Sequence, residues 1–129
     1  MEKYFQKVKG YLLDLEYSIV SEDENAGTLK ISKEDEGIKN MVVACADPIL
    51  ILEQPLFQLK SDDKNTYKEL LKKNRDIVHG AFAIAENNVV LFRDTLQIEN
   101  LDLNEIEGSL NSLSLLLSEY SKQLVEFAK

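Results

Sequence analysis

The amino-acid sequence predicts an α+β fold in which one antiparallel sheet has its helices packed on one side. Apolar residues recur at helical spacing near both ends of the chain, in residues 2–16 and 103–127. Strand-like runs fill the region between them, and two of these runs flank Asn87 and Asn88. Asparagine tolerates the positive φ angles of a hairpin turn. With 129 residues, the chain is expected to form a single domain, 1–129.

The first elements are a helix and a hairpin. Residues Glu2–Glu16 carry one apolar helical stripe, which is typical of a helix packed on a sheet but also of the wall of a peptide groove. The stripe consists of Tyr4, Phe5, Val8, Tyr11, Leu12 and Leu15. Tyr17–Val20 has strand character, and Thr28–Ser32 alternates with period two. These two runs predict a hairpin around an acidic loop.

Two longer strands follow. Ile38–Ala46 is a nearly continuous apolar run, and Asp47-Pro48 is a turn signal. Ile49–Leu52 is a second apolar run, which Pro55 is expected to end or bend because proline has no backbone N–H for a ladder. Residues Leu56–Leu59 could resume as an edge strand. Four or five strands are therefore expected before the second helix.

A short second helix, Thr66–Asn74, leads into the hairpin around Asn87 and Asn88. If these two asparagines alone form the turn, alternate side chains fall on two faces of the hairpin. One face, expected to pack on the core, collects Ala81, Ala83, Ala85, Val90 and Phe92. The other face collects Phe82, Ile84, Val89 and Leu91 and is apolar where a lone sheet should be wet. We interpret this second face as one that another chain covers.

The last helix begins at a capping pair, Asp102 and Glu105. Its apolar residues alternate at spacings of three and four: Leu103, Ile106, Leu110, Leu113, Leu117, Tyr120, Leu124 and Phe127. This pattern fits a coiled coil between two chains or an amphipathic helix laid across a sheet. Leu115 and Leu116 broaden the stripe, which favours the helix on a sheet.

Composition narrows the classes of function. The chain has 15 basic and 23 acidic residues, a net charge of −8, and Lys72, Lys73 and Arg75 form its one basic cluster. Such a chain repels phosphate backbones, so no nucleic-acid partner is expected. Its apolar stretches are shorter than the roughly 18 residues that cross a bilayer. We therefore expect no membrane contact. Because the first residues lack a signal-peptide core, a cytoplasmic location is expected.

Residues for catalysis are scarce. His79 is the single histidine and Cys45 the single cysteine, and the sequence has no phosphate-binding loop and no pair of metal ligands at typical spacing. The sequence therefore predicts a non-enzymatic protein with no catalytic residue, no metal and no cofactor. A small enzyme or ligand-binding domain that uses His79, Asp76 and Cys45 is the alternative.

Three runs carry a family resemblance: L-L-K-K-N from Leu70 to Asn74, H-G-A-F-A-I from His79 to Ile84, and N-N-V-V-L-F-R-D-T-L from Asn87 to Leu96. With L-D-L before a final amphipathic helix, they resemble the class I type III secretion chaperones, including the Tir chaperone family and the related YbjN-like proteins. The resemblance implies an α-β-β-β-α-β-β-α order. It also implies small, acidic, cytoplasmic homodimers without enzymatic activity, which hold an extended segment of a secretion substrate.

For this chain, the resemblance implies a dimer contact formed by the second helix and the strand region that contains Phe82, Ile84, Val89 and Leu91. It places Phe5, Val8 and Leu12, with the first strands, at a groove for the partner segment. A YbjN-like regulatory or structural subunit without a secretion substrate is the alternative role within the same resemblance.

Overall fold

The computed structural model describes residues 2–129. Within this range, the chain forms three α-helices and one six-stranded antiparallel sheet, in the spatial order β1-β2-β3-β4-β6-β5. In chain order the elements are α1 (Glu2–Asp14), β1 (Ser18–Asp23), β2 (Thr28–Lys33), β3 (Ile38–Ala46), β4 (Ile49–Gln58), α2 (Lys64–Asn74), β5 (Ala81–Ala85), β6 (Val89–Gln97) and α3 (Leu103–Phe127). The predicted α+β class is confirmed, with four strands before α2 where the family outline has three.

The first hairpin lies beneath α1. β1 is longer than predicted because Ser21–Asp23, expected in the loop, still pairs with β2. Lys9 of α1 forms an ion pair with Glu22 of β1, at 2.8 Å between Nζ and Oε1. This pair joins the helix to the edge strand. β1 itself pairs only with β2, so its other edge has no strand partner among the described residues.

β3 and β4 form the hairpin predicted around Asp47-Pro48. β4 then runs past Pro55 to Gln58 as one strand, so the expected break at this proline is replaced by a bulge between Pro55 and Phe57 in the pairing with β6. The bulge is the physical reason for the difference. It interrupts the ladder where proline cannot donate, and the strand continues beyond it.

The hairpin of β5 and β6 has a register one residue away from the predicted one. Ala85 pairs with Val89, and Ile84 with Val90, so the turn contains Glu86, Asn87 and Asn88. Both asparagines have positive φ, 64° and 59°, as predicted. The third turn residue moves every pair by one position and exchanges the two faces of β5.

The core therefore differs from the predicted one in this hairpin. Phe82 faces the core opposite Phe92, whereas the alanines of β5 share the opposite face with Leu91. α3 lies on the core side, and its apolar stripe is buried at Ile106, Leu110, Leu113, Leu116 and Leu124. The stripe thus packs within this chain, as the sheet-packed interpretation predicts. The other face of the sheet includes the ion pair of Glu53 with Arg93.

Candidate functional site

α2 and β5 together form an apolar surface at one end of the sheet. α2 begins at Asp63, whose side chain accepts a hydrogen bond from the backbone N–H of Asn65 at 2.9 Å. It ends at Asn74, whose side-chain amide bonds both backbone groups of Phe82. The helix is thereby held against β5, which is an edge strand of the sheet.

Two large apolar side chains on this surface are exposed: Leu71 is 70% exposed and Ile84 is 48% exposed. A shallow cleft of about 330 Å³ lies between the helix and the strand. It is lined by Tyr67, Leu70, Leu71, Asn74, Phe82, Ala83, Ile84 and Val90. We call this group of residues the α2–β5 surface. An exposed apolar patch on a small acidic chain is typical of a protein-binding site.

Polar groups border the α2–β5 surface at one end. The Tyr67 hydroxyl donates a hydrogen bond to the Asp62 carboxylate at 2.8 Å, and this bond raises the pKa of Tyr67. The phenol therefore stays neutral at physiological pH. A neutral ring beside Leu71 is compatible with an apolar partner surface.

The other side of α2 is anchored to α3 by a buried lysine. Lys73 is 8% exposed, and its ammonium lies 4.9 Å from the ring centre of Tyr120 and 5.8 Å from that of Phe127. Its carboxylate neighbour, Glu69, is 3.9 Å away. The cation thus packs on two aromatic faces, which fixes the position of α2.

Replacing Lys73 with Gln is expected to lower the free energy of unfolding by about 1 kcal/mol, because the cation–π contacts are lost. Urea unfolding at one fixed protein concentration measures the change. Lys72→Gln is the matched control, since the Lys72 side chain is 61% exposed. An equal loss in both variants would contradict the anchoring role of Lys73.

The four residues predicted for the dimer contact fall on both faces of the sheet. Phe82 is buried in the core, and Ile84 is exposed at the edge beside α2. Val89 and Leu91 lie on the opposite face, where Val89 is half-buried and Leu91 is buried. The expectation that all four share one exposed face is therefore wrong, because the third turn residue exchanged the faces of β5. Ile84 remains a surface residue.

The three residues predicted for the partner groove are also buried. Phe5, Val8 and Leu12 pack into the core from α1. The exposed apolar side chains in this region are Leu13 of α1 and Val20 of β1, each 52% exposed. The helical spacing of apolar residues identified the buried stripe of α1, but it did not indicate that Leu13 and Val20 are exposed. In α2, Leu71 is 70% exposed although its neighbour Leu70 is buried, because successive residues on a helix point in different directions.

The three residues considered for catalysis do not all come together: Asp76 and His79 line one cavity beside α3, whereas Cys45 lies elsewhere. Cys45 is buried in β3, and burial raises the pKa of its thiol. His79 precedes β5, and the strands β4 and β6 separate β5 from β3. The backbone carbonyl of His79 accepts a hydrogen bond from Ser112 at 2.6 Å. Within residues 2–129, no three His, Cys, Asp or Glu side chains lie together as metal ligands do.

None of the helices in the described part of the chain is both long and apolar enough to span a bilayer. The longest, α3, has 25 residues and contains charged side chains within its length.

These features together define an α+β module with the fold of the type III secretion chaperones. The CesT_Tir_1 family model matches residues 1–129. The chain therefore belongs to this family, and the resemblance seen in the sequence is confirmed. Among curated protein sequences, no significant match is found.

Solved structures share the fold at low sequence identity. The chain is similar to a structure of the HopA1–SchA chaperone–effector complex, at 14% identity and a TM-score of 0.66, covering 92% of this chain and 94% of that one. It is also similar to the crystal structure of YbjN, a proposed transcription regulator from E. coli, at 12% identity and a TM-score of 0.67, covering 92% of this chain and 91% of that one.

A third structure contains the Yersinia pestis type III secretion chaperone SycH with a stable fragment of YscM2. It has 15% identity and a TM-score of 0.54, covering 96% of this chain and 98% of that one. At these identities the comparisons show the fold. Together with the family, they indicate a chaperone-like protein that binds other proteins.

Proposed function

We propose that this protein is a homodimeric, non-enzymatic chaperone of the cytoplasm that holds an extended segment of a partner protein. The observation that supports a dimer is the α2–β5 surface. Leu71 and Ile84 are exposed there, and both line the cleft between helix and strand. A second copy is the proposed occupant of this surface. Burial of large apolar side chains gives about 1.5–3 kcal/mol each, which favours association.

The geometry of β5 favours side-chain packing over a continuous intermolecular sheet. The N–H and C=O of Phe82 point away from β6, because both are bonded to the Asn74 side chain. Backbone groups alternate in direction along a strand, so Ile84 presents its own N–H and C=O on the same edge. One residue is too short for a strand ladder. Leu71 and Ile84 therefore provide the main contact, whereas Val89 and Leu91 lie outside it on the opposite face of the sheet.

The partner segment is proposed to bind along α1 and the first strands. Phe5, Val8 and Leu12 hold α1 on the sheet, and Leu13 and Val20 offer exposed apolar contacts. The open edge of β1 can accept an added strand, since main-chain hydrogen bonds give affinity without requiring one sequence. A secretion substrate is the proposed partner, because the related structures include a chaperone bound to an effector.

Light scattering across a concentration series tests this proposal. The wild type is expected to have about twice the chain mass of 14.7 kDa. Leu71→Glu with Ile84→Glu is expected to give a folded monomer, because two carboxylates would be desolvated in the contact. Circular dichroism checks that the double variant is folded.

Leu13→Glu with Val20→Glu is the matched control. It makes the same chemical change at two exposed apolar residues outside the α2–β5 surface, so the dimer should persist. A monomeric wild type, or a dimer that survives Leu71→Glu with Ile84→Glu, would refute the proposed contact.

A further inference from the structure

β3 and β4 separate after the pair of Val42 with Glu53, although both strands continue. Beyond this point β4 pairs only with β6, and the earlier half of β3 pairs only with β2. The Gln54 side chain bridges the opening. It donates to the carbonyl of Gly37 at 3.1 Å and accepts the N–H of Lys39 at 3.0 Å. We call the opening beyond this bridge the β3–β4 cleft.

The β3–β4 cleft is large and mainly apolar. Its volume is about 840 Å³, and its apolar lining includes Val42, Pro55, Leu56, Phe57, Leu117 and Leu124. The C-terminal half of α3 forms one wall. Gly37 has φ +80°, which favours glycine, and an added Cβ would lie 2.9 Å from Cδ1 of Leu117 in this helix.

The charged groups of this cleft all have the same sign. Lys30 and Lys39 line it, and none of the described residues that line it is acidic. Within residues 2–129, neither lysine forms an ion pair with a carboxylate. The whole chain carries a net charge of −8. The β3–β4 cleft is thus a local basic and apolar site on an acidic protein, and it complements an acidic ligand.

We propose that the β3–β4 cleft binds a short apolar segment of a protein partner that carries Asp or Glu beside its apolar side chains. Beyond the pair of Val42 with Glu53, neither strand has a strand partner in the described part of the chain on the side that faces the opening, so a peptide backbone can bond to the groups that Gln54 leaves free. The proposal rests on the proposed function only in taking the ligand to be a protein segment. It uses neither the α2–β5 surface nor the exposed residues of α1.

Fluorescence anisotropy with two synthetic peptides tests the proposal. One probe is a labelled nonapeptide of alternating leucine and aspartate, and the other has lysine in place of aspartate. The aspartate peptide is expected to bind the wild type, and the lysine peptide to bind at least tenfold more weakly. Amide chemical shifts of the wild type should move at Lys39, Phe57 and Leu117.

Two pairs of variants locate the site. Lys30→Glu with Lys39→Glu is expected to weaken the aspartate peptide about tenfold. Lys3→Glu with Lys60→Glu is the matched control. It changes the net charge by the same amount at two exposed positions outside the cleft, so binding should be unchanged. Val125→Glu should weaken binding, whereas Leu115→Glu should not. Val125 lines the cleft and Leu115 does not. Both lie on α3 and are similarly exposed, Val125 at 60% and Leu115 at 65%.

Equal binding of both peptides, or equal effects of the two lysine pairs, would overturn the proposal. Dodecanoate is the fatty acid to compare. If it binds more tightly than the aspartate peptide and shifts the same amides, the proposal of a protein segment as ligand is refuted. The dimer is tested separately by light scattering on variants of Leu71 and Ile84. A dimer without peptide binding would remove this inference alone, and a monomer that binds the peptide would remove the dimer alone.

Discussion

Gly80→Ala is expected to lower the free energy of unfolding by about 3 kcal/mol. Gly80 has φ +82°, a conformation that side chains other than glycine adopt only with strain. An added Cβ would lie 2.5 Å from Cζ of Phe92 and 3.0 Å from the carbonyl oxygen of Arg93. Phe92 is fully buried, so its ring cannot move without disturbing the core. Strain and overpacking therefore add together at the start of β5.

Urea unfolding measured by circular dichroism, at one fixed protein concentration, gives this change. Gly10→Ala is the matched control because it adds the same methyl group. Gly10 lies inside α1, and an added Cβ meets nothing within 4 Å. This variant should gain about 1 kcal/mol, since alanine favours the helix. Changes of the same sign in both variants would contradict the assigned role of Gly80.

Asn74→Ala is expected to cost about 2 kcal/mol and to expose a sheet edge. The Asn74 amide accepts the N–H of Phe82 at 2.7 Å and donates to its carbonyl at 3.2 Å. It thus takes the place of a neighbouring strand on β5. Without it, two backbone groups beside α2 lose their partners, and the edge becomes open to pairing with other chains.

Unfolding in urea measures the loss of stability, and light scattering at rising concentration measures added self-association. Asn65→Ala is the control on the same helix, because the Asn65 side chain forms no hydrogen bond with the described part of the chain. We expect a change within about 0.5 kcal/mol for this surface site. Unchanged stability in Asn74→Ala would show that these two hydrogen bonds are unimportant.

Most elements could be predicted from hydrophobic periodicity, which found α1, β3, the hairpin around Asn87 and the stripe of α3. The length of the turn could not. Asn87 and Asn88 have positive φ in the three-residue turn, and a two-residue type I′ turn would require the same of them. The addition of Glu86 to the turn changes the register by one residue. In a strand, one residue is enough to exchange the buried and exposed faces.

The candidate site was predicted less completely than the fold. Ile84 is exposed on the α2–β5 surface, whereas Phe82, predicted to share its exposed face, is buried. In the leucine pair of α2, Leu70 packs inward and Leu71 faces out. The helical spacing could have indicated that one of the two leucines is exposed. The β3–β4 cleft could not be foreseen, since its opening depends on where β3 stops pairing with β4, and local sequence does not specify that point.

The contact between two copies at the α2–β5 surface is tested most directly by an isotope-filtered NOE experiment on a mixed sample. One half of the protein carries ¹³C-labelled methyl groups and the other half is unlabelled. We predict intermolecular NOEs between the methyl groups of Leu71 and Ile84 and protons of the second copy. Intermolecular NOEs confined to Leu13, Val20 or Leu115, or none at all, would contradict it.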